Sequence, residues 1–448
     1  MTERGVMLDS WTRLFVRDRI TSASDGPISQ NVFARPLRDS LSRGRSDFER
    51  DYCRIVYASQ FRRLANKTQV LPDSGIDHVR NRLTHSIEVS TVASSIFREY
   101  ERRLEKHRGL KIAQASDAHW VLRTAGLAHD LGNPPYGHAG EKAIRKWAVN
   151  FFASHQQYRV LARDFKFFDG NAQSFRLLSR DDLGFCDGIV LTLTSLAAIV
   201  KYPYSVCDKR AEGGKFNAFK TENDILDLVM DRHGLKCEGD YYRRHPLSFF
   251  LEAADDVSYI LSDMEDAVYA GIITDEEKNR LFTELAYPEI KGRTLSTSRQ
   301  AIQSAVASIL VNGYARAFYD SQRDIFTNRF FSGHDLENAL PKEIRDWLPE
   351  VKALRDKIIE DGHVRDAETH GAKMISHVLD VLVRVLPFVG PGSKTPTTRI
   401  RQIIENSFGL GFFEKNKRKQ DIWWLHVILD YVSGMTDGFL ETLAAKLK

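Results

Sequence analysis

The sequence predicts an all-α protein, with room for one minor β-hairpin. Three segments carry apolar residues at the three- and four-residue spacing of an amphipathic helix, and strand-like alternation is scarce. The chain has 448 residues, of which 42% are hydrophobic and 10% aromatic, which is enough to form a large packed core. This composition excludes a chain that is disordered for most of its length.

The cysteines and the apolar stretches indicate the cellular compartment in which the protein is found. Four cysteines without a CxxC pair exclude a disulfide-stabilised secreted scaffold and indicate a reducing environment. The best apolar stretch, 188–200, is shorter than the roughly 20 residues that span a bilayer. The N-terminus lacks the apolar core of a signal peptide, so we expect a cytoplasmic protein with no membrane partner.

The amphipathic segments follow one another along the chain. The first begins at His85 and continues on one face with Val89, Val92, Ile96 and Tyr100. The second contains Leu122, Ala125 and His129 and ends at Gly132, just before two prolines. The third begins at Pro246 and carries one row at four-residue spacing, formed by Leu247, Leu251, Asp255, Tyr259 and Asp263. A capping sequence at 274–277 begins a further helix, and 202–219 is either a small hairpin or a loop.

Three of these apolar faces carry histidine or aspartate, which is unusual because burying an unpaired charge is costly. His85, His129 and Asp255 come from three different helices, and Asp130 directly follows His129. A single histidine on such a face is usually a hydrogen-bonded core residue, and a single aspartate is usually a helix cap or half of an ion pair. Three helices that each contribute one favour a shared divalent cation.

The order of the motifs resembles the dGTP triphosphohydrolase family of HD-domain proteins. The first two motif strings are RLANKTQVLPDSGIDHVRNRLTHSIEV (63–89) and AHDLGNPPYGHAGE (128–141). The family's later motifs follow in the same order, as DGNAQSFR (169–176), KYP (201–203), EAADDVSY (252–259) and DYVSGMTD (430–437). The resemblance implies an N-terminal extension at 1–45, a helical HD-domain catalytic core at 46–275, and a C-terminal helical region at 276–448. That last region would complete the site or form an oligomer interface.

The resemblance also implies one divalent metal ion per site, bound by His85, His129, Asp130 and Asp255. Asp255 is the better choice because it shares a helix face with Tyr259 and Asp263, whereas Asp256 is turned by about 100° away. Two nitrogen and two oxygen ligands suit Mn²⁺ or Mg²⁺, with Fe²⁺ and Co²⁺ as alternatives. Asn133 stands where binuclear HD phosphodiesterases often carry lysine, which argues for a single ion.

The same resemblance assigns proton transfer to His138, with Glu141 three residues later to orient it. The alternative is that His138 only caps the helix that follows. The implied substrate contacts are Arg82, Asn171, Gln173, Lys201, Tyr202, Tyr259 and Asp263. Ordinary hydrogen-bonding roles in loops are the alternative for several of these polar residues.

The implied reaction is metal-dependent hydrolysis of deoxynucleoside triphosphates, dGTP among them, to deoxynucleoside and inorganic triphosphate. The residues by themselves indicate only metal-assisted hydrolysis of a phosphate ester. Two alternatives stay open: an HD-type nucleotide phosphomonoesterase, and a single-stranded nucleic-acid-binding protein with a regulatory HD site. The second would use the arginine-rich segment 35–63 and the lysines near 415–419 of this mildly basic chain, whose net charge is +4. The resemblance further implies a homo-oligomer, a hexamer, and allows a single-stranded DNA effector.

Overall fold

The computed structural model describes most of the chain. The described residues are 11–20, 44–71, 78–181, 183, 188–237, 241–290, 298–327, 335–390, 393, 395–409 and 411–447. Most of the extension at 1–45 and residues 72–77 of the first motif string lie outside them.

Within these ranges the protein is helical, and its β-bridges are isolated, so the all-α prediction is confirmed. No helix in the described part of the chain combines the length and the apolar character needed to cross a bilayer. The α-helices are α1 (Asp47–Tyr57), α2 (Ser59–Arg63), α3 (Arg82–Arg108), α4 (Ala115–Ala128), α5 (Gly137–Ser154), α6 (Ala162–Lys166), α7 (Gly170–Ser179), α8 (Leu193–Ile199), α9 (Asn223–Arg232), α10 (Pro246–Tyr269), α11 (Asp275–Ile290), α12 (Arg299–Phe326), α13 (Lys342–Ile359), α14 (Gly362–Leu382), α15 (Thr398–Phe408), α16 (Phe412–Asn416), α17 (Asp421–Ser433) and α18 (Asp437–Lys446).

The stretch 202–219 is a loop, and the alternative of a small hairpin is not formed. One parallel bridge joins Ser205 to Ala218, and a 3-10 turn at Lys209–Gly213 lies between them. Gly214 ends that turn with a φ of 78°. A hairpin requires antiparallel pairing on both sides of a tight turn, and the 3-10 turn takes up the residues that would pair.

The predicted helices begin where their capping residues indicate. Helix α3 opens with a capping box in which the side chains of Asn81 and Thr84 bond each other's backbone N–H. Helix α10 begins at Pro246, and the Thr274 hydroxyl accepts from the N–H of Glu277 at the start of α11. Helix α4 ends at Ala128, earlier than predicted, and His129 lies at its C-cap. The residues from 129 to 132 form a turn there.

The buried apolar side chains form two cores. The larger core includes α3, α4, α10 and α12, where the rings of Phe97, Tyr100, Phe250 and Phe318 pack against one another. The second core joins α5 to α14, α17 and α18. Helices α3 and α4 approach closely at Gly126, because a Cβ there would lie 2.4 Å from the Cα of Ser90. This close packing brings the N-terminal part of α3 next to the C-terminal end of α4.

Candidate active site

Two histidines and an aspartate meet where α3 and α4 pack. One ligand atom each of His85, His129 and Asp130 lies within 4.8 Å of the others, a grouping that could hold a metal ion. The two imidazole rings are 5.5 Å apart between centroids. His85 and Asp130 are buried, and the side chain of His129 is 11% exposed. The HD turn is also held from α7, because the Ser174 hydroxyl donates to the carbonyl of His129.

The hydrogen bonds of His129 suit a metal ligand. Its Nδ1 lies 2.8 Å from the carbonyl oxygen of Gly126, which can only accept, so Nδ1 carries the proton. The other nitrogen, Nε2, is buried and has no hydrogen-bond partner among the described residues. In the neutral tautomer this enclosed Nε2 carries no proton, and such a nitrogen is the donor that a divalent cation requires. The donor set of imidazoles and carboxylates therefore fits the implied ion.

Helix α10 places Asp255 beside the histidines. Its Oδ1 lies 3.1 Å from Nε2 of His85 and 3.6 Å from Nε2 of His129. Burial lowers the pKa of His85, but the hydrogen bond and charge of Asp255, together with the charges of Asp130 and Asp263, raise it above its usual value. Asp256 lies elsewhere: its carboxylate accepts from the hydroxyl of Tyr314 and groups with Asp335 and Glu337. The neighbouring aspartates of EAADDVSY therefore have different surroundings.

Both oxygens of Asp130 are bonded by neighbouring side chains. The guanidinium of Arg82 donates to Oδ2 at 2.5 Å, and the amide of Asn133 donates to Oδ1 at 2.6 Å. Burial would raise the pKa of this carboxyl, but nearby positive groups, His129 and Arg82 foremost with His85 and His138, together outweigh burial and hold the pKa well below its usual range. Asp130 is therefore ionised and fixed in orientation. Asn133, at the position where binuclear enzymes often have lysine, serves to orient this aspartate.

His138 and Glu141 form a hydrogen-bonded pair at the start of α5. Nδ1 of His138 lies 3.0 Å from Oε2 of Glu141, and the other glutamate oxygen accepts from the N–H of Gly170. The side chain of His138 is 73% exposed, whereas that of Glu141 is 5% exposed. Burial would raise the pKa of Glu141, but the bond to His138 keeps that pKa below its ordinary value. Because α5 begins at Gly137, His138 lies inside its first turn and is not the N-cap residue.

Tyr259 and Asp263 follow Asp255 in the α10 row and extend the site beyond the two histidines. The ring of Tyr259 stacks on His85 at 5.1 Å, and burial raises the pKa of this phenol well above its usual value. One turn further, Asp263 is 2% exposed, and neither of its oxygens has a hydrogen-bond partner among the described residues. The guanidinium of Arg355, from α13, lies over the Tyr259 ring at 4.5 Å and 3.6 Å from Asp263 Oδ2.

The other predicted substrate contacts lie in different surroundings, and not all of them are near the histidines. Lys201 reaches α10, where its ammonium lies 2.8 Å from Glu252, and the ring of Tyr202 lies beside that ammonium. The side-chain amide of Asn171 donates to the carboxylate of Asp169, and Gly170 between them donates its N–H to Glu141. Gln173 is fully buried, and its amide donates to Asp430 on α17. In this arrangement Gln173 contacts the C-terminal helices and is not grouped with the histidines.

Three cationic residues near the site were not among the sequence predictions. Arg355 comes from α13, and no pattern in the sequence connects it to α10. Lys215 lies 3.6 Å from Asp169 and is 45% exposed. Lys67 is buried and donates to the backbone carbonyl of Asn133. Burial, with help from Arg63 and Arg82, lowers the pKa of Lys67 to about 7. Lys67 lies inside the first motif string, and this position is the one sequence feature that could have indicated its place near the site.

Comparison with known proteins agrees with this geometry. The HD domain family matches residues 82–182, which include both histidines, Asp130 and the His138–Glu141 pair. A deoxyguanosinetriphosphate triphosphohydrolase-like protein of Synechocystis sp. is 36% identical over 88% of this chain and 91% of its own length. A protein of the same description from Pseudomonas aeruginosa PAO1 is 30% identical over 98% of both chains, and one from Listeria innocua is 29% identical over 90% and 94%. The chain therefore belongs to the deoxyguanosinetriphosphate triphosphohydrolase-like family of HD-domain phosphohydrolases.

Proposed function

We propose that the chain hydrolyses deoxynucleoside triphosphates, dGTP among them, to deoxynucleoside and inorganic triphosphate with the help of a divalent metal ion. The observation that supports this most directly is the convergence of His85, His129, Asp130 and Asp255 near one point. The names of the relatives support the substrate class and the unusual position of bond cleavage.

The proposed metal ligands are the two histidines together with Asp130 and Asp255. Mn²⁺ or Mg²⁺ suits these hard and borderline donors best, and Fe²⁺ or Co²⁺ are alternatives. Such an ion, when bound, polarises a phosphate oxygen and makes a coordinated water more acidic. Arg82 helps to keep Asp130 ionised, and Arg82 and Asn133 together orient it toward the cluster.

His138 is the proposed proton-transfer residue, and Glu141 orients it. With Nδ1 engaged by the glutamate, the exposed imidazole has Nε2 available to move a proton at the bond between the α-phosphorus and the 5′-oxygen. The buried carboxylate also stabilises the imidazolium that forms whenever the histidine holds the proton.

Substrate recognition is proposed along α10 and its neighbours. The protonated phenol of Tyr259 donates to a phosphate oxygen, and Asp263 accepts from the 3′-hydroxyl of the sugar. Arg82, Lys201 and Tyr202 contribute phosphate contacts and Asn171 lines the site, whereas the buried Gln173 supports it through its contact with α17. A triphosphate carries about four negative charges and needs several cationic donors, so we add Arg355 and Lys215 to this set.

The region 276–448 is proposed to complete this site, since it contains α13 with Arg355 and the helices that contact Gln173. A homo-oligomer, in particular a hexamer, remains a prediction from the family resemblance. The same is true of a single-stranded DNA effector, and the cytoplasmic location remains a prediction from the N-terminal sequence and the cysteines.

Product analysis tests the proposal. Each of the four deoxynucleoside triphosphates is incubated with the protein and Mn²⁺ or Mg²⁺, and the anionic products are separated by anion exchange. We expect inorganic triphosphate and the free deoxynucleoside, and neither product with the matched variant Asp130→Asn. Orthophosphate from nucleoside monophosphates would instead indicate the phosphomonoesterase. Salt-dependent binding of single strands without turnover would indicate the nucleic-acid-binding alternative.

A further inference from the structure

Tyr136, two residues before His138, adopts a backbone conformation that is rare for a side chain of its size. Its φ is 58°, in the left-handed region, and Gly137 follows with a φ of 54°. These two residues turn the chain from the loop after the HD motif into α5. A bulky residue stays in this region only when the surrounding structure holds it there.

Three contacts from the C-terminal part of the chain hold Tyr136. Its N–H donates to Oδ1 of Asp437 at 3.1 Å, and its hydroxyl donates to Glu441 at 3.1 Å. Its ring lies against Gly371 on α14, where a Cβ would come within 2.4 Å of the ring. The backbone, the ring and the hydroxyl of this residue are thus each fixed by a different C-terminal residue.

The same C-terminal turn is linked to the other end of the loop through Lys67. The second oxygen of Asp437 accepts from the N–H and the hydroxyl of Thr68, at 2.9 and 2.6 Å. The adjacent Lys67 bridges two carbonyls, donating to Asn133 at 2.5 Å and to Ser433 at 2.8 Å. Asn133 in turn bonds Asp130. The turn 433–437 therefore contacts Tyr136 directly and is linked to Asn133 through Lys67, from about 300 residues further along the chain.

We infer that the turn 433–437, between α17 and α18, is a positioning element for His138, and that Asp437 is its principal positioning residue. This assigns a role to the DYVSGMTD motif, which the proposed function does not use. Asp437 holds Tyr136 in the left-handed conformation, and that conformation sets where α5 begins and where its first turn presents His138. The inference depends on the proposed function only for its kinetic readout.

Hydrogen–deuterium exchange on Asp437→Ala tests the inference without reference to turnover. The Tyr136 amide loses its acceptor in this variant, so we expect faster exchange across 133–138 and unchanged exchange in α3 and α10. Asp437→Asn retains one acceptor oxygen and should give an intermediate rate. Exchange across 133–138 that stays at the wild-type rate in Asp437→Ala would overturn the inference.

Kinetics on the same variant supply the second readout. A misplacement of about 1 Å at a catalytic group can cost about 100-fold. We therefore expect Asp437→Ala to lower kcat about 10- to 100-fold, with KM within about twofold of wild type and metal content unchanged. A loss of bound metal in step with the rate would show a general structural role and would count against positioning of His138.

Gly371→Ala displaces Tyr136 from a different helix and leaves Asp437 intact. Its methyl group would collide with the Tyr136 ring, so the same loss of kcat and the same faster exchange are expected. Gly362→Ala is the matched control on α14, because nothing lies within 4 Å of the added Cβ there. Normal kcat in a folded Gly371→Ala would overturn the inference. If the wild-type protein hydrolyses no deoxynucleoside triphosphate, the proposed function fails, and the exchange measurements still decide this inference.

Discussion

Asp263 is expected to destabilise the free protein at neutral and alkaline pH. Its carboxyl is 2% exposed, and its oxygens accept no hydrogen bond from the described residues. Burial raises the pKa of this group to about 7, and the guanidinium of Arg355, 3.6 Å away, opposes burial only in part. A buried carboxylate without donors is costly to the fold, and the proposed 3′-hydroxyl contact would give it a donor when substrate is present.

The sign of the effect follows from the direction of that shift. The unfolded chain releases the Asp263 proton near pH 4, whereas the folded protein keeps it to about pH 7. Unfolding therefore releases a proton in this interval, so stability falls as the pH rises through it and stays low above pH 7. At about 1.4 kcal/mol for each unit of pKa, the full cost is roughly 4 kcal/mol, of which about 2–3 kcal/mol develops between pH 5 and pH 8.

Urea unfolding of wild type and Asp263→Asn, in chelator at pH 5 and pH 8, measures this cost. Asparagine has the same shape and does not titrate. The free energy of unfolding of Asp263→Asn, relative to wild type, should therefore rise by about 2–3 kcal/mol from pH 5 to pH 8. A difference in unfolding free energy between variant and wild type that is the same at both pH values would refute the reasoning.

The same residue makes a kinetic prediction. Losing a hydrogen bond to a charged group costs about 1.5–3 kcal/mol, so Asp263→Ala should weaken use of a deoxynucleoside triphosphate about ten- to a hundredfold. A 2′,3′-dideoxynucleotide lacks the partner hydroxyl and should be affected much less. Equal losses on both substrates would mean that Asp263 supports α10 and does not contact the sugar.

Three further predictions concern catalysis, the metal ligands and acid stability. His138→Ala should lower kcat about 10²–10⁴-fold with its metal retained, and Glu141→Ala should lose less; steady-state kinetics near wild type for His138→Ala would contradict this. Asp130→Asn should lose most of its bound metal, and full occupancy by elemental analysis would count against this ligand. Asp256→Asn should keep the ion, and its loss there would mean that Asp256, not Asp255, is the ligand. Burial lowers the pKa of His233 to about 4, so the unfolded chain takes up its proton first as the pH falls. His233 alone should therefore cost the folded protein about 2 kcal/mol between pH 7.5 and pH 5, opposite in sign to the effect of Asp263. A His233→Gln variant whose unfolding keeps the wild-type pH dependence would rule out this cause.

Helical periodicity was sufficient to predict the elements that carry the metal cluster. A row at four-residue spacing fixes which residues share a face, so Asp255 could be separated from Asp256 before any contact was known. The start signals at Pro246 and 274–277 located the beginnings of α10 and α11 for the same reason, since they act within one turn of the chain. The first segment was predicted from His85, whereas α3 begins at Arg82 behind a capping box. The prediction that Glu141 lies next to His138 is of this local kind as well.

Contacts between distant segments could not be predicted in this way. The resemblance predicts Gln173 as a substrate contact, but only the packing of α17 shows that it is buried with Asp430 as its partner. Arg355 reaches Tyr259 from a helix almost 100 residues further along the chain, and no periodicity connects the two. The DYVSGMTD motif could be located from its resemblance, yet its contacts with Tyr136 and Thr68 depend on the complete fold.

The most direct test of the central claim is to follow the oxygen atom of water during turnover. If hydrolysis occurs by attack of water on the α-phosphorus with release of the 5′-oxygen, reaction in H₂¹⁸O places one ¹⁸O atom in inorganic triphosphate. The deoxynucleoside then carries none, and mass spectrometry of the two separated products reads this directly. Label in the deoxynucleoside, or in orthophosphate in place of triphosphate, would contradict the account.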